Sequence, residues 1–241
     1  MDLAKKGGAT TVKRQLAPSF WKIRRKEGQF VVRARSGPHP KTICYPLGIL
    51  LRDILRLCEN MDEVTRILND GKVSIDGVVR RSIGWPVGLM DIMELIPLSQ
   101  VFRLVPKDRN LLVPVLLSGQ AEKNLKLLRV TARKTIKDNK TQYGFHDGRT
   151  LIVSEQYAIG DSCLIDLSTK EIKSHIKLEK GSIVIVTKGE NAGAIGKVED
   201  IRDGLFSLPK RTVVSFGDRS VELPVQMVML VGDKDPIIQV S

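Results

Sequence analysis

The sequence predicts an α+β, multi-domain chain, and three observations carry that expectation: leucines at helical spacing in one early stretch, short β-type runs broken by turn residues later on, and cations crowded at the N-terminus. The expected order is a basic arm over 1–41, a module of two helices and a β-hairpin over 42–105, a small central β domain over 106–180, and a C-terminal β unit over 181–241. With 241 residues and 42% hydrophobic content, the chain is long enough for several small cores.

The arm is defined by charge. Eleven Lys and Arg against Asp2 and Glu27 give residues 1–45 a net +9 of the chain's +12. The cations are Lys5, Lys6, Lys13, Arg14, Lys22, Arg24, Arg25, Lys26, Arg33, Arg35 and Lys41. Residues 46–105 and 181–241 are each near neutral at −1, and residues 106–180 carry +5. So uneven a distribution suits an arm laid along phosphates better than an evenly solvated surface. Phe20, Trp21 and Phe30 interrupt the cations, and rigid Ser36-Gly37-Pro38-His39-Pro40 closes the arm. Trp21 is read as a staple onto the next domain rather than a platform for a base. With so few apolar anchors under so much charge, the first 40 residues are expected to order fully only on RNA.

In the module, Pro46 opens a helix whose Leu47, Leu50, Leu51, Ile54, Leu55 and Cys58 form one stripe. Asn60 with Glu63 makes a capping box for a second helix ending at Asn69-Asp70-Gly71. Val64, Ile67 and Leu68 share its buried face. The period then changes: Val73 and Ile75 alternate as in a strand, and Asp76-Gly77 is a type I′ hairpin turn. Trp85-Pro86-Val87-Gly88 bends the chain before a strand over Ile92–Ile96. Arg52, Arg56, Arg66, Lys72, Arg80 and Arg81 surround this unit. Arg66 is spaced to pair with Asp62, and Arg56 with Asp53 or Glu59.

The central domain shows strands at Leu111–Leu117, Gln142–Phe145, Leu151–Val153 and Ser162–Asp166, with a turn at His146-Asp147-Gly148-Arg149. Strands so short and so spaced predict a small barrel or sandwich. In the last unit Ile183 to Val186 form a strand, and Gly189, Gly193 and Gly196 a tight loop before a returning strand.

Several function classes find no support. A phosphate-cradling loop needs G-x-x-x-x-G-K-[ST] before a helix; here Asn191 stands for the first glycine and Val198 follows Lys197, in a strand. His39, His146 and His175 lie in separate segments, and neither G-x-S-x-G nor H-E-x-x-H occurs. Cys44, Cys58 and Cys163 have no zinc spacing and read as free buried thiols in a reducing compartment. No apolar run of about 18 residues and no signal-like N-terminus occur, so a soluble, intracellular protein is expected. No catalysis, cofactor, metal or small-molecule substrate is expected.

Two helices followed by L-N-D-G-K-V-S-I-D-G resemble the RNA-binding module named after bacterial ribosomal protein S-four. V-I-V-T-K-G-E-N-A-G-A-I-G-K-V resembles a KOW motif, which implies a C-terminal SH3-like β barrel. Together with the arm W-K-I-R-R-K-E-G-Q-F-V-V-R-A-R-S-G-P-H-P, the segment P-V-G-L-M-D and the central H-D-G-R, the chain resembles the archaeal and eukaryotic small-subunit ribosomal protein S-four-e family over nearly its whole length. The resemblance implies a structural constituent of the cytoplasmic small subunit, with rRNA and neighbouring ribosomal proteins as partners. All seventeen arm and module cations named above become candidate RNA contacts. Thr65 stands where the module usually has a basic residue, whereas Lys72 and Asp76-Gly77 fit the pattern.

Two other functions fit less well. Pseudouridine synthases often begin with the same module, but here Gly148-Arg149 is followed by Thr150-Leu151 rather than Leu-Asp, and no large catalytic domain remains. A transcription-associated KOW protein needs no basic arm.

Overall fold

The computed structural model describes residues 9–24, 26–107, 111–119, 122–136, 140–217, 219–233 and 235–239. Among them the chain is mostly β, with few helices and several sheets. No helix among them is long and apolar enough to cross a membrane.

The arm begins as a hairpin, β1 (Thr11–Lys13) pairing antiparallel with β2 (Phe30–Val32). Trp21 is buried, and its Nε1 donates to the Cys44 carbonyl at 2.8 Å. Tyr45 donates its hydroxyl to the Phe20 carbonyl at 3.0 Å, and the two rings meet edge to face. Trp21 is therefore a staple, as its sequence context suggested. In the structure the described residues of the arm are folded against the module. Phe30 is exposed, but Ala17, Trp21 and Val31 join the main core, which the tail's composition alone could not reveal.

Next come β3 (Tyr45–Pro46), α1 (Leu47–Ile49) and a π turn over Leu50–Ile54. The helix is shorter than the apolar stripe implied. Arg56 takes a positive φ of 53° and turns the chain, so Cys58 reaches the core from outside the helix. In α2 (Met61–Asn69) the Glu63 carboxylate accepts from the amides of Glu59 at 2.9 Å and Asn60 at 3.5 Å, and Val64 and Leu68 are fully buried. Gly71 follows at φ 73°. The hairpin of β4 (Val73–Ile75) and β5 (Val78–Val79) turns through Asp76 and Gly77 at φ 51° and 76°, both left-handed as a type I′ turn requires.

After β6 (Pro86–Val87), which pairs with β3, come β7 (Ile92–Leu95), β8 (Gln100–Lys107) and β9 (Leu111–Leu116). They complete a sheet in the order β5-β4-β7-β8-β9. The boundary expected between 105 and 106 thus falls inside β8. The apolar run read as the first central strand instead pairs with β8 from Phe102↔Leu116 to Lys107↔Leu111.

The central sheet is built on β10 (Leu125–Thr135), a strand the sequence reading missed, with β11 (Thr141–Phe145), β12 (Thr150–Val153), β13 (Ser162–Asp166) and β14 (Ile172–Ile176) in the order β12-β11-β10-β13-β14. A register shift between Val130 and Ala132 divides β10. Its first half is mostly buried against β13; Thr131 to Thr135 are exposed, and Ala132 to Thr135 still pair with β11.

The last sheet runs β18-β17-β16-β15-β19, from β15 (Ile183–Val186), β16 (Ile195–Arg202), β17 (Arg211–Ser215), β18 (Ser220–Pro224) and β19 (Val228–Gly232). All four residues of β15 are buried. Gly193, at φ 87°, lies so close to β8 that a Cβ there would stand 2.7 Å from the Pro106 carbonyl oxygen. That glycine is needed for packing between units as well as for the turn. One apolar core runs from Trp21 through Leu68 and Met93 to Val184 and Leu230.

Candidate nucleic-acid interface

Because the arm is stapled down, its cations stand beside those of the first helix. Arg14, Lys22 and Arg24 line a groove of about 430 Å³ together with Arg52 and Arg56, alongside Glu27, Asp53 and Glu59. Their roles differ. Arg14 is buried and donates through its guanidinium to the Arg24 carbonyl at 2.7 Å, so it shapes the arm rather than facing solvent. Arg24 pairs with Glu27 at 2.8 Å, and Arg52 with Asp53 at 3.0 Å. Among the described residues Lys22 and Arg56 have no ion-pair partner. Among the described residues the spacing-based pairs Arg56 with Asp53 or Glu59 and Arg66 with Asp62 do not form; at Arg56 the turn takes the side chain out of helical register and Arg52 engages Asp53.

Further along, Lys13, Lys26, Arg35 and Lys41 are exposed and Arg33 is partly so. Lys5, Lys6 and Arg25 lie outside the described residues.

The three cations flanking the hairpin turn separate. Lys72 pairs with Asp70 at 2.8 Å while half exposed. Arg81 is exposed, its Nε 3.4 Å from the Asn69 carbonyl. Arg80 lies 3.7 Å over the Trp85 ring with its Nε buried and unpartnered among the described residues. Burial lowers its pKa. Arg80, expected as an RNA contact, is thus engaged in packing, where it covers an indole face.

Behind the turn lies a feature that sequence spacing concealed. Lys126, fully buried on β10, donates to Asp76 and Asp91 at 2.6 Å each and stands 3.2 Å from Asp147. Arg149 bonds Asp76 at 2.7 Å and Asp147 at 3.1 Å, and His39 of the arm bonds Asp91 at 2.9 Å. Burial pulls the Lys126 pKa down, but the three carboxylates outweigh it and hold it above the usual lysine range. Burial pushes Asp91 up, yet Lys126 and His39 hold it below the usual carboxylate range. Asp76 goes the other way, raised by burial and then by Asp91. The residue that makes the hairpin turn thus also anchors that hairpin to the central sheet, fixing which way the basic edge faces.

A second missed feature is the exposed half of β10, which presents Arg133 and Lys134, with Lys140 exposed just before β11. The run T-A-R-K-T-I-K-D-N-K and the +5 of residues 106–180 were the available signals. No group of three His, Cys, Asp or Glu among the described residues could hold a metal ion. The three cysteines are free and buried, and burial pushes the Cys44 and Cys163 thiols up to about 12.

Comparison with known proteins settles the family. Residues 6–42 match the RS4NT (NUC023) domain and residues 98–172 match ribosomal family S4e. The small ribosomal subunit protein eS4 of Pyrobaculum islandicum is 37% identical over 95% of this chain and 98% of its own length. The chain belongs to ribosomal family S4e. The eS4 protein of Ignicoccus hospitalis is 32% identical over 97% of this S4e chain and 95% of its own. The crystal structure of the 30S ribosomal protein S4e from Thermoplasma acidophilum superposes with a TM-score of 0.69 at 27% identity, covering 79% of this chain and 96% of that one. The S4e match over 98–172 takes in Lys126, Asp147 and Arg149 of the buried cluster as well as the exposed half of β10.

Proposed function

We propose that this chain is a structural constituent of the small ribosomal subunit, located in the cytoplasm, binding rRNA through cations held at fixed spacing and contacting neighbouring ribosomal proteins. The relatives' shared name supports the ribosomal role. The observation that carries RNA binding is the groove in which Lys22 and Arg24 of the arm stand beside Arg52 and Arg56 of the module. Structured RNA is bound mainly through shape and backbone, which suits a rigid convex body bearing separated cations.

Within this reading the main phosphate contacts are Lys22 and Arg56 in the groove, Lys72 and Arg81 at the hairpin, and Arg66 on α2. Lys13, Lys26, Arg33, Arg35 and Lys41 extend the same surface. Arg24 and Arg52 contribute where phosphate displaces their carboxylate partners. Arg14 and Arg80 support the surface from within. The terminal sheet, with its KOW-like loop, serves as an SH3-like barrel packed behind the module.

The test is binding of the full chain to a small-subunit rRNA fragment at several salt concentrations. Replacing Lys22 and Arg56 by Ala is expected to weaken binding and to flatten the slope of log K against log salt by about two units, at about 0.9 per phosphate contact if RNA duplex behaves like DNA. Unchanged affinity and slope with a native circular dichroism spectrum would remove the groove from the interface.

A further inference from the structure

Where the arm's end, the module, the central sheet and the terminal sheet converge, they enclose a cavity of about 590 Å³. That is within the usual range for pockets that bury a small organic group. It shares no lining residue with the groove described above.

Three properties define what it can hold. Its rim carries Arg35, Lys41 and Lys188, all exposed, and no carboxylate lines it among the described residues. Its fourth cation, Arg129, is committed elsewhere, donating to the carbonyls of Gln226 at 2.7 Å and Val228 at 2.9 Å. Its wall includes the buried Phe145 ring and the rings of His39 and His146, whose centroids are 6.1 Å apart. His39 is 3% exposed, and its Nδ1 has no partner among the described residues.

Cations at the mouth attract a phosphate, aromatic rings inside suit a planar π-system, and an unpartnered ring nitrogen suits the polar edge of that system. Single-stranded RNA presents all three together when a nucleotide is unstacked from its helix. A peptide segment would match the apolar wall, but it leaves three cations and the ring nitrogen unmet.

We propose that this cavity receives one unstacked nucleotide of small-subunit rRNA, its base against Phe145 and the two histidines and its phosphate at Lys41 and Lys188. The assignment rests on the rRNA-binding reading above and adds a point of contact with a base to a surface that otherwise meets backbone.

The test uses small subunits assembled with the full chain. After ultraviolet crosslinking and digestion, a nucleotide is expected on a peptide from residues 35–43 or 143–149. Thr131→Trp, which fills the mouth from an exposed position on β10, is expected to abolish that crosslink and to weaken binding of small-subunit rRNA about tenfold, the effect of losing one stacked base. A second variant, Lys41→Ala with Lys188→Ala, leaves the cavity open. It is expected to reduce the crosslink and flatten the salt slope by about two units. Crosslinks confined to the groove and hairpin, with Thr131→Trp binding like the unaltered chain, overturn the cavity and leave the rRNA-binding reading standing. Crosslinks from the cavity to a neighbouring ribosomal protein overturn it as well. An unaltered chain that fails to bind rRNA overturns both.

Discussion

Replacing Lys126 by Met is expected to cost stability more than any surface substitution, with a pH dependence that identifies the cause. Met keeps roughly the volume and removes the charge. At 2.6 Å, each of Asp76 and Asp91 attracts the ammonium by about 6 kcal/mol in an effective dielectric of about 20. Desolvation of the buried ions offsets most of that attraction. What the variant measures is therefore the cost of leaving carboxylates behind, about 3–5 kcal/mol for a broken buried pair. Asp91 retains His39, and Asp76 and Asp147 retain Arg149, so the lower end is expected at pH 7. The folded Lys126 pKa lies above its unfolded value, so its stabilisation is fully present below about 10.4 and is lost as pH rises through the folded value. The Asp91 pKa lies below its unfolded value, so its share is present above about 3.9 and is lost as pH falls through the folded value. In the variant the orphaned carboxylates can neutralise themselves by taking up protons, so the gap to the unaltered chain should narrow between pH 7 and pH 4.5. Urea denaturation at both pH values measures this. A loss below about 1 kcal/mol at pH 7, or one that does not change with pH, would refute the reasoning, since it would place the interaction in the range of exposed pairs.

Other outcomes follow from the same geometry. His146, held at about 3 by burial and then by the Lys126 charge, stays neutral in the fold while the unfolded chain protonates near 6.5; stability should fall as pH drops from about 6.5 towards 3, and His146→Gln should flatten that part of a denaturation-against-pH curve. Arg80→Ala should lower the melting temperature through loss of a cation–π contact of about 0.5–2 kcal/mol and leave the salt slope of RNA binding unchanged. Lys72→Ala with Arg81→Ala should do the reverse, flattening the slope by about two units without a stability change. Trp21→Ala should cost about 3–5 kcal/mol and admit protease before Thr42 in the free protein; a fully resistant arm would mean that the staple is dispensable.

What the sequence made legible was local. The capping box at Asn60 and Glu63, the closure at Gly71 and the turn at Asp76-Gly77 depend on neighbours within a few residues, and the structure has them as expected. The first helix was overextended because apolar spacing does not register the positive φ at Arg56. β10 was missed for a related reason: K-L-L-R-V-T-A-R-K-T has no single alternation, since its first half is buried in the fold and its second half stands exposed beyond a register shift. The boundary inside β8 was missed because a strand run does not say which sheet it joins. At the candidate interface, residue type was legible and environment was not. The groove needed the arm folded back, and the anchor needed Asp76 and Lys126, 50 positions apart, to meet.

That difference limits what a charge count can say about RNA binding. Lys126, Arg103 and Arg129 look in sequence like members of the basic excess, yet each is used inside the protein. Arg103 is fully buried and donates to Glu122 at 2.6 Å, to the Leu125 carbonyl and to that of Gln239, tying β8 to the central sheet and to the C-terminal segment. Arg129 joins the central sheet to the chain around β19. Lys126 joins the central sheet to the hairpin and, through Asp91 and His39, to the arm. Each lies at a junction, where a cation offers several donors to carbonyls and carboxylates that different segments leave exposed. With the junctions fixed, the distances between groove, hairpin and exposed β10 are fixed too. Under the proposed rRNA-binding role, such a body meets phosphates without first having to order its own units, so less of the binding free energy is lost to conformational entropy. Under the proposed role, the cations used inside the protein thereby strengthen the contacts of those on its surface.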